Sequence, residues 1–147
     1  MRKLLVIFGI LIGVVLTSVA VYANIEKNYK PSDYKIGIRY EDAITQDKPI
    51  LVLFYMDWCG YCAKFMPKFR VVDSLYHDKF NVVMINADDP TYKDLANDVG
   101  LSGFPSLYII DPKYDNRVFL SNGIYFDLKK LRVELDRFLR IRALLDK

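Results

Sequence analysis

The fold is set by residues 50–62, which read ILVLFYMDWCGYC. Ile50–Met56 is a continuous apolar run of strand length, the pattern typical of a strand buried on both faces of a sheet. From about Cys59 to His77, apolar residues recur at helical spacing, which predicts a helix with one buried stripe. The two cysteines therefore lie where a buried strand passes into a helix.

The rest of the chain alternates strand and helix patterns. We predict further helices over residues 39–48, 91–99 and 126–145, and further strands over residues 80–85, 106–110 and 118–121. This order, with two nearby strands before the last helix, predicts an α/β domain. Its mixed central sheet of about four strands would be flanked by helices. We assign this domain to residues 39–147.

The composition fits one globular domain and excludes several functional classes. The chain has 147 residues, 52% of them apolar, which is enough for one packed core. A net charge of +3 is too small to indicate a nucleic-acid binder. Two cysteines and one histidine cannot complete a zinc site. We therefore expect no metal and no nucleic-acid partner. We also expect no cofactor, because a pair of thiols such as Cys59 and Cys62 can hold the exchanged electrons itself.

The first residues have the layout of an export signal. Met1-Arg2-Lys3 is a short basic start, and Leu4–Leu16 is an apolar run. Smaller and more polar residues follow, up to Ala23. This layout is typical of a secretory signal, so we predict residues 1–23 as a signal peptide.

Two interpretations of this segment remain open. Cleavage before Asn24 would release the domain, with Ser18-Val19-Ala20 as a second cleavage motif. An uncleaved, uncharged span over residues 4–25 could instead cross a bilayer and hold the domain at the membrane. In both cases the domain is exported, and we predict the bacterial periplasm or an extracytoplasmic face. Residues 24–38 are polar and are predicted as a linker or extended lead-in.

The spacing of Cys59 and Cys62 favours redox chemistry. Two intervening residues bring both sulfur atoms within bonding reach, and a helix N-terminus stabilises the thiolate of the first cysteine. We interpret Cys59 as the exposed nucleophile and Cys62, on the apolar stripe of the helix, as the resolving thiol. The alternatives are a structural disulfide, which stabilises little across so short a loop, or two buried thiols acting as small hydrophobes.

Several motifs resemble the thioredoxin superfamily. Trp58-Cys59-Gly60-Tyr61-Cys62 is similar to the family's W-C-G-x-C active site, and Pro67 stands where members carry a proline in the active-site helix. Gly103-Phe104-Pro105-Ser106 resembles the family's G-[IVFY]-P-T motif, and Gly123 matches a late glycine. The similarity extends from about Tyr40 to Leu145.

The resemblance implies roles for residues around the cysteines. Pro105 would be cis and lie against the disulfide, exposing the backbone of Phe104 to an extended substrate peptide. Trp58 would form a wall of the active-site surface, while Gly60 and Tyr61 would set the redox potential. Cytoplasmic thioredoxins have a proline at the position of Tyr61. The Gly-Tyr pair is similar to that of some exported isomerases and reductases, which favours those directions of electron flow.

The chain departs from the family in its proton handling. Thioredoxins bury an aspartate six residues before the first cysteine and pair it with a lysine, whereas the matching positions here are Leu53 and Met84. We expect the aspartate and the lysine to be absent together, because either one alone would leave an unpaired buried charge, which is strongly destabilising. Water, the substrate or another group must then accept the Cys62 proton. We interpret Asp57 as a solvated loop carboxylate rather than a general base.

Two functions are consistent with these features. The favoured hypothesis is an exported, monomeric thiol-disulfide oxidoreductase. It would exchange its Cys59–Cys62 dithiol or disulfide with protein thiols and disulfides, and with an unidentified membrane or exported electron partner. The alternative is a thioredoxin-like binding module, a holdase or adaptor, that uses the groove near Trp58 and Pro105 without essential redox turnover.

Overall fold

The computed structural model describes residue 10, residues 12–15 and residues 29–147. Ile10 and residues 12–15 are helical. The predicted signal peptide over residues 1–23 and the alternative anchor over residues 4–25 fall largely outside the described residues. Within the described part of the chain, no helix is both long enough and apolar enough to cross a membrane.

A four-stranded mixed sheet forms the centre of the domain, in the order β2-β1-β3-β4. Its strands are β1 Ile50–Tyr55, β2 Asn81–Asn86, β3 Ser106–Asp111 and β4 Asn116–Leu120. β1 pairs in parallel with β2 and antiparallel with β3, and β3 pairs antiparallel with β4. All six residues of β1 are buried, which explains its unbroken apolar sequence. The predicted mixed α/β architecture is confirmed.

Helices cover both faces of this sheet. They are α1 Tyr40–Ala43, α2 Gly60–Tyr76, α3 Lys93–Asp98, α4 Asn122–Tyr125 and α5 Leu128–Leu145. Leu51 and Leu53 of β1 face a core shared with α2 and α5. The alternate residues Val52 and Phe54 face a second core that includes side chains of α1 and α3. The two-residue period of the strand therefore decides which face each helix covers.

The helix predicted over residues 39–48 is shorter than its sequence pattern indicates. It ends at Ala43. Just beyond it, the Thr45 hydroxyl and the Gln46 side-chain amide both donate to the Asp42 carbonyl, at 2.9 and 3.3 Å. These side chains satisfy a carbonyl that the next helical turn would otherwise use, which favours termination there.

The helix predicted over residues 126–145 begins two residues later than expected, and a short helix that was not predicted, α4, precedes it. α4 ends at Tyr125, and α5 begins only at Leu128. Asp127 lies between them with an extended backbone, and its carboxylate accepts hydrogen bonds from the backbone N–H groups of Lys129 and Lys130. An aspartate in this N-cap position starts a new helix, so the apolar stripe of α5 is oriented independently of α4.

Residues 31–38, predicted as part of a linker or lead-in, pack against the domain. Pro31–Tyr34 forms a single 3-10 turn in which Pro31 is buried. Tyr34 contacts the core shared by α2 and α5, and the Arg70 guanidinium lies 4.8 Å from its ring centroid. Ile38 forms a parallel bridge with Val83, at the edge of β2. Burial of apolar side chains within this polar stretch accounts for the docking.

Gly37 allows the segment to approach β2 closely. Its φ is +77°, and a Cβ atom there would overlap the carbonyl oxygen of Val82. We expect Gly37→Ala to lower the free energy of unfolding by about 3 kcal/mol, because strain of the left-handed backbone and a backbone overlap combine. Urea unfolding measures this loss.

Gly100→Ala is the matched control for this variant. Gly100 has φ +66°, but an added Cβ would meet no atom within 4 Å. We expect only the backbone contribution there, about 1–2 kcal/mol. Equal losses in the two variants would contradict the close approach of Gly37 to β2.

Candidate active site

Cys59 and Cys62 form a disulfide at the start of α2, with their Cα atoms 5.2 Å apart. Cys59 is the N-cap residue of this helix, and the backbone N–H of Cys62 donates to Cys59 Sγ at 3.1 Å. The helix N-terminus thus supplies both a backbone donor and the positive end of a dipole to this sulfur atom. Both would stabilise a thiolate on Cys59 once the disulfide is reduced.

The two sulfur-bearing residues differ in their access to solvent. Cys62 is fully buried, whereas Cys59 is 7% exposed. Cys59, predicted as the exposed nucleophile, is mostly buried in the disulfide form. Tyr55, Met56 and Phe104 belong to the apolar cluster that surrounds the pair and covers most of it. Of the two cysteines, Cys59 alone reaches the surface, so it is the one that an external disulfide can meet.

Exposed aromatic rings surround this narrow opening. Trp58 is 73% exposed and Tyr61 is 69% exposed. The Trp58 ring contacts Phe104 edge to face, with 6.5 Å between the ring centroids. Lys64 Nζ lies 5.7 Å from the centroid of the Tyr61 ring. The result is an apolar surface beside the disulfide, with a positive charge at one side.

The segment Gly103–Ser106 lies alongside the cysteines, although it is distant from them in the sequence. Phe104 packs against the cluster that contains Cys59 and Cys62. The Phe104–Pro105 peptide bond is cis, and Pro105 is buried. Gly60 is exposed at the first position of α2, and an added Cβ there would meet no neighbouring atom. The sequence motifs therefore converge on one surface.

Asp57 ties the N-terminal segment to the active-site loop. Its carboxylate accepts a hydrogen bond from the Ser32 backbone N–H at 3.0 Å and another from the Ser32 hydroxyl at 2.9 Å. Asp57 is therefore a half-buried structural acceptor, and its interpretation as a solvated loop carboxylate is wrong. The two residues are 25 positions apart, and no local pattern in the sequence pairs them.

An apolar pair occupies the positions where thioredoxins carry the buried acid and its lysine. Leu53 and Met84 are direct partners in the β1–β2 register. Leu53 is fully buried, and Met84 packs against the cluster around the disulfide. Burial raises the pKa of Tyr55 in this cluster, and the charge of Asp57 adds to the effect, so the phenol stays protonated at neutral pH. The cluster itself thus offers no side chain that could accept the Cys62 proton.

Several known proteins resemble this chain in sequence. Residues 35–122 match the family model described as Thioredoxin. The chain is 35% identical over 75 residues to the thioredoxin-like protein HCF164, chloroplastic, of Arabidopsis thaliana. It is 41% identical over 64 residues to protein disulfide isomerase-like 2-2 of Oryza sativa subsp. japonica. The alignments cover 51% and 44% of this chain but only 29% and 17% of these relatives.

Solved structures with the same fold include two thioredoxin-type domains. The J-Trx1 fragment of ERdj5 superposes with a TM-score of 0.58 at 19% identity, covering 69% of this chain and 46% of that one. The first thioredoxin domain of mouse protein disulfide-isomerase A4 superposes with a TM-score of 0.57 at 20% identity, covering 68% and 69%. At these identities the likeness establishes the fold alone.

Proposed function

This chain belongs to the thioredoxin family, and we propose on that basis that it is an exported thiol-disulfide oxidoreductase. The observation that carries the proposal is the Cys59–Cys62 disulfide at the N-terminus of α2, of which only Cys59 reaches the surface. A cysteine pair in this position can exchange electrons with another disulfide directly. The electrons reside in the two thiols, so the exchange requires no cofactor.

The geometry supports a two-step exchange in the reducing direction. The Cys59 thiolate attacks a substrate disulfide, forming a mixed disulfide and expelling the first substrate thiolate. Cys62 then attacks Cys59 Sγ, closes the Cys59–Cys62 disulfide and expels the second substrate thiolate. Two electrons pass to the substrate, and an electron partner in the membrane or the exported space must return them. The Cys62 N–H stabilises the attacking thiolate by its hydrogen bond to Cys59 Sγ.

The surface around Cys59 suits a polypeptide substrate. Trp58 and Tyr61 are exposed, and Phe104 joins Trp58 to the disulfide cluster. Apolar rings beside a redox pair favour extended peptide over small polar thiols. We therefore propose protein disulfides as substrates, with Trp58, Gly60, Tyr61, Phe104 and Pro105 as the contact surface. Two features support a reductase or isomerase. One is the Gly-Tyr pair between the cysteines, and the other is the similarity to a protein named protein disulfide isomerase-like 2-2.

An oxidising compartment would suit this chemistry, because disulfides persist there as substrates. The basic start and apolar run of the first residues support export. We propose residues 1–23 as a signal peptide, residues 24–38 as a lead-in and residues 39–147 as the thioredoxin-like domain. The periplasm or an extracytoplasmic face is the proposed location.

The purified protein should catalyse the dithiothreitol-driven reduction of insulin. Cys59→Ser should lower the rate to that of dithiothreitol alone, because the attacking thiolate is lost. The turbidity of reduced insulin measures the rate. Ser74→Ala changes an exposed residue of the same helix and should keep the wild-type rate. Full activity in Cys59→Ser would contradict the proposed oxidoreductase, whereas a wild-type rate no higher than that of dithiothreitol alone would favour a binding module.

Cys62→Ser should accumulate covalent complexes with natural substrates. This variant can form the mixed disulfide on Cys59 but lacks the thiol that resolves it. Reducible bands of higher mass on a non-reducing gel measure the trapping, and mass spectrometry identifies the partners. Cys59→Ser is the control and should trap nothing, because Cys62 is fully buried. Equal trapping by both variants would show that the assigned order of attack is wrong.

Exported protein should begin at or near Asn24. Intact mass measurement should show loss of residues 1–23, since the small residues Val21 and Ala23 suit signal cleavage. A full-length chain that is retained in the membrane fraction would contradict cleavage and establish the anchor.

A further inference from the structure

The position of Phe104 governs the shape of the surface beside the cysteines. Its ring lies edge to face against Trp58 and packs on the cluster that contains Cys59 and Cys62. Any shift of the Gly103–Ser106 loop would therefore widen or narrow the surface that a peptide disulfide must meet. What holds this loop in place thus bears directly on substrate recognition.

A buried hydrogen bond from the Tyr125 side chain holds the Gly103–Ser106 loop in place. The Tyr125 hydroxyl donates a hydrogen bond to the Pro105 carbonyl at 2.7 Å, and this bond is buried. The ladder between β1 and β3 begins one residue later, where Phe54 faces Ser106. The Pro105 carbonyl thus precedes the strand pairing, and the phenol is its partner. A second bond, from the Ser106 hydroxyl to the Gly103 carbonyl at 2.8 Å, closes the loop on itself.

The Tyr125 ring is itself fixed by the helix that carries the cysteines. Its centroid lies 5.0 Å from that of Phe65 and 4.9 Å from that of Phe126. Phe65 is in α2, one turn after Cys62, and is fully buried. Burial raises the pKa of Tyr125, so its hydroxyl remains a donor at neutral pH. One rigid aromatic group therefore connects the cysteine helix to the loop that faces it.

We propose that Tyr125 is a positioning residue, whose hydroxyl fixes the Gly103–Ser106 loop against Cys59 through the Pro105 carbonyl and thereby selects peptide disulfides over small ones. The kinetic part of this proposal rests on the proposed oxidoreductase function. An extended peptide would bind along the backbone groups of the loop, so a displacement of the loop would slow its reaction with Cys59. A small disulfide needs only the sulfur of Cys59.

Tyr125→Phe tests the proposal in the full-length, reduced protein. It keeps the packed ring and removes only the hydroxyl, which leaves a buried carbonyl unpaired. We expect the second-order rate constant for a synthetic peptide disulfide to fall about fivefold. The rate with hydroxyethyl disulfide should stay unchanged. Emission from Trp58, the one tryptophan of the chain, should shift because its neighbour Phe104 moves.

Tyr76→Phe is the matched control. It removes hydrogen bonds from a phenol to the Asp136 carboxylate at 2.9 Å and to the Arg132 carbonyl at 3.4 Å, at the end of α2 far from the cysteines. We expect a comparable loss in urea unfolding but wild-type peptide rates and Trp58 emission. Equal slowing in both variants, equal slowing of both substrates, or an unchanged peptide rate in Tyr125→Phe would overturn the proposal.

The outcomes separate this proposal from the proposed function. If the wild-type protein reduces neither disulfide, the oxidoreductase function fails, and Trp58 emission alone decides whether Tyr125 positions the loop. If Tyr125→Phe does not fold, Ser106→Ala loosens the same loop and should slow the peptide disulfide selectively. Unchanged Trp58 emission in the folded variants would overturn the positioning role in either case.

Discussion

Burial of β1 on both of its faces is the constraint on which the rest of the structure depends. Its odd-numbered leucines fill one core, and the alternate Val52 and Phe54 fill the other. A shift of one residue in register would exchange the two sets and disrupt both cores. The chain therefore leaves the sheet at a defined point, and α2 begins there with Cys59 as its N-cap.

Stabilisation of a thiolate on Cys59 depends on backbone groups more than on ionisable side chains. A helix N-terminus and the Cys62 N–H act on Cys59 Sγ, while Met84 packs on the apolar cluster that contains Cys62. Backbone donors are fixed by the helix and do not titrate, so they stabilise a thiolate over a wide pH range. In the proposed exchange, the Cys62 proton would then pass to water or to the substrate near the narrow opening at Cys59.

The surface around the opening is assembled from distant parts of the chain, each held by hydrogen bonds. Ser32, in the N-terminal segment, donates two hydrogen bonds to Asp57, the residue that precedes Trp58. The Tyr125 hydroxyl donates a hydrogen bond to the carbonyl of Pro105, the residue that follows Phe104. Both aromatic walls of the site therefore adjoin a residue whose position is fixed by a partner far away in sequence. Such bonds each contribute little to stability, but they restrict the two rings that we propose contact the substrate.

The sequence by itself determined the order of strands and helices, the buried β1, the cysteine pair and the motifs of the family, because periodicity and spacing are local properties. It did not reveal the short helix α4 before Asp127, nor that Ser32 binds Asp57. It also suggested a more exposed Cys59 than the folded chain allows. Those features, like the bond from Tyr125 to Pro105, were decided only by the tertiary structure. They depend on which distant side chains meet once both cores have packed, and no local pattern in the chain encodes that.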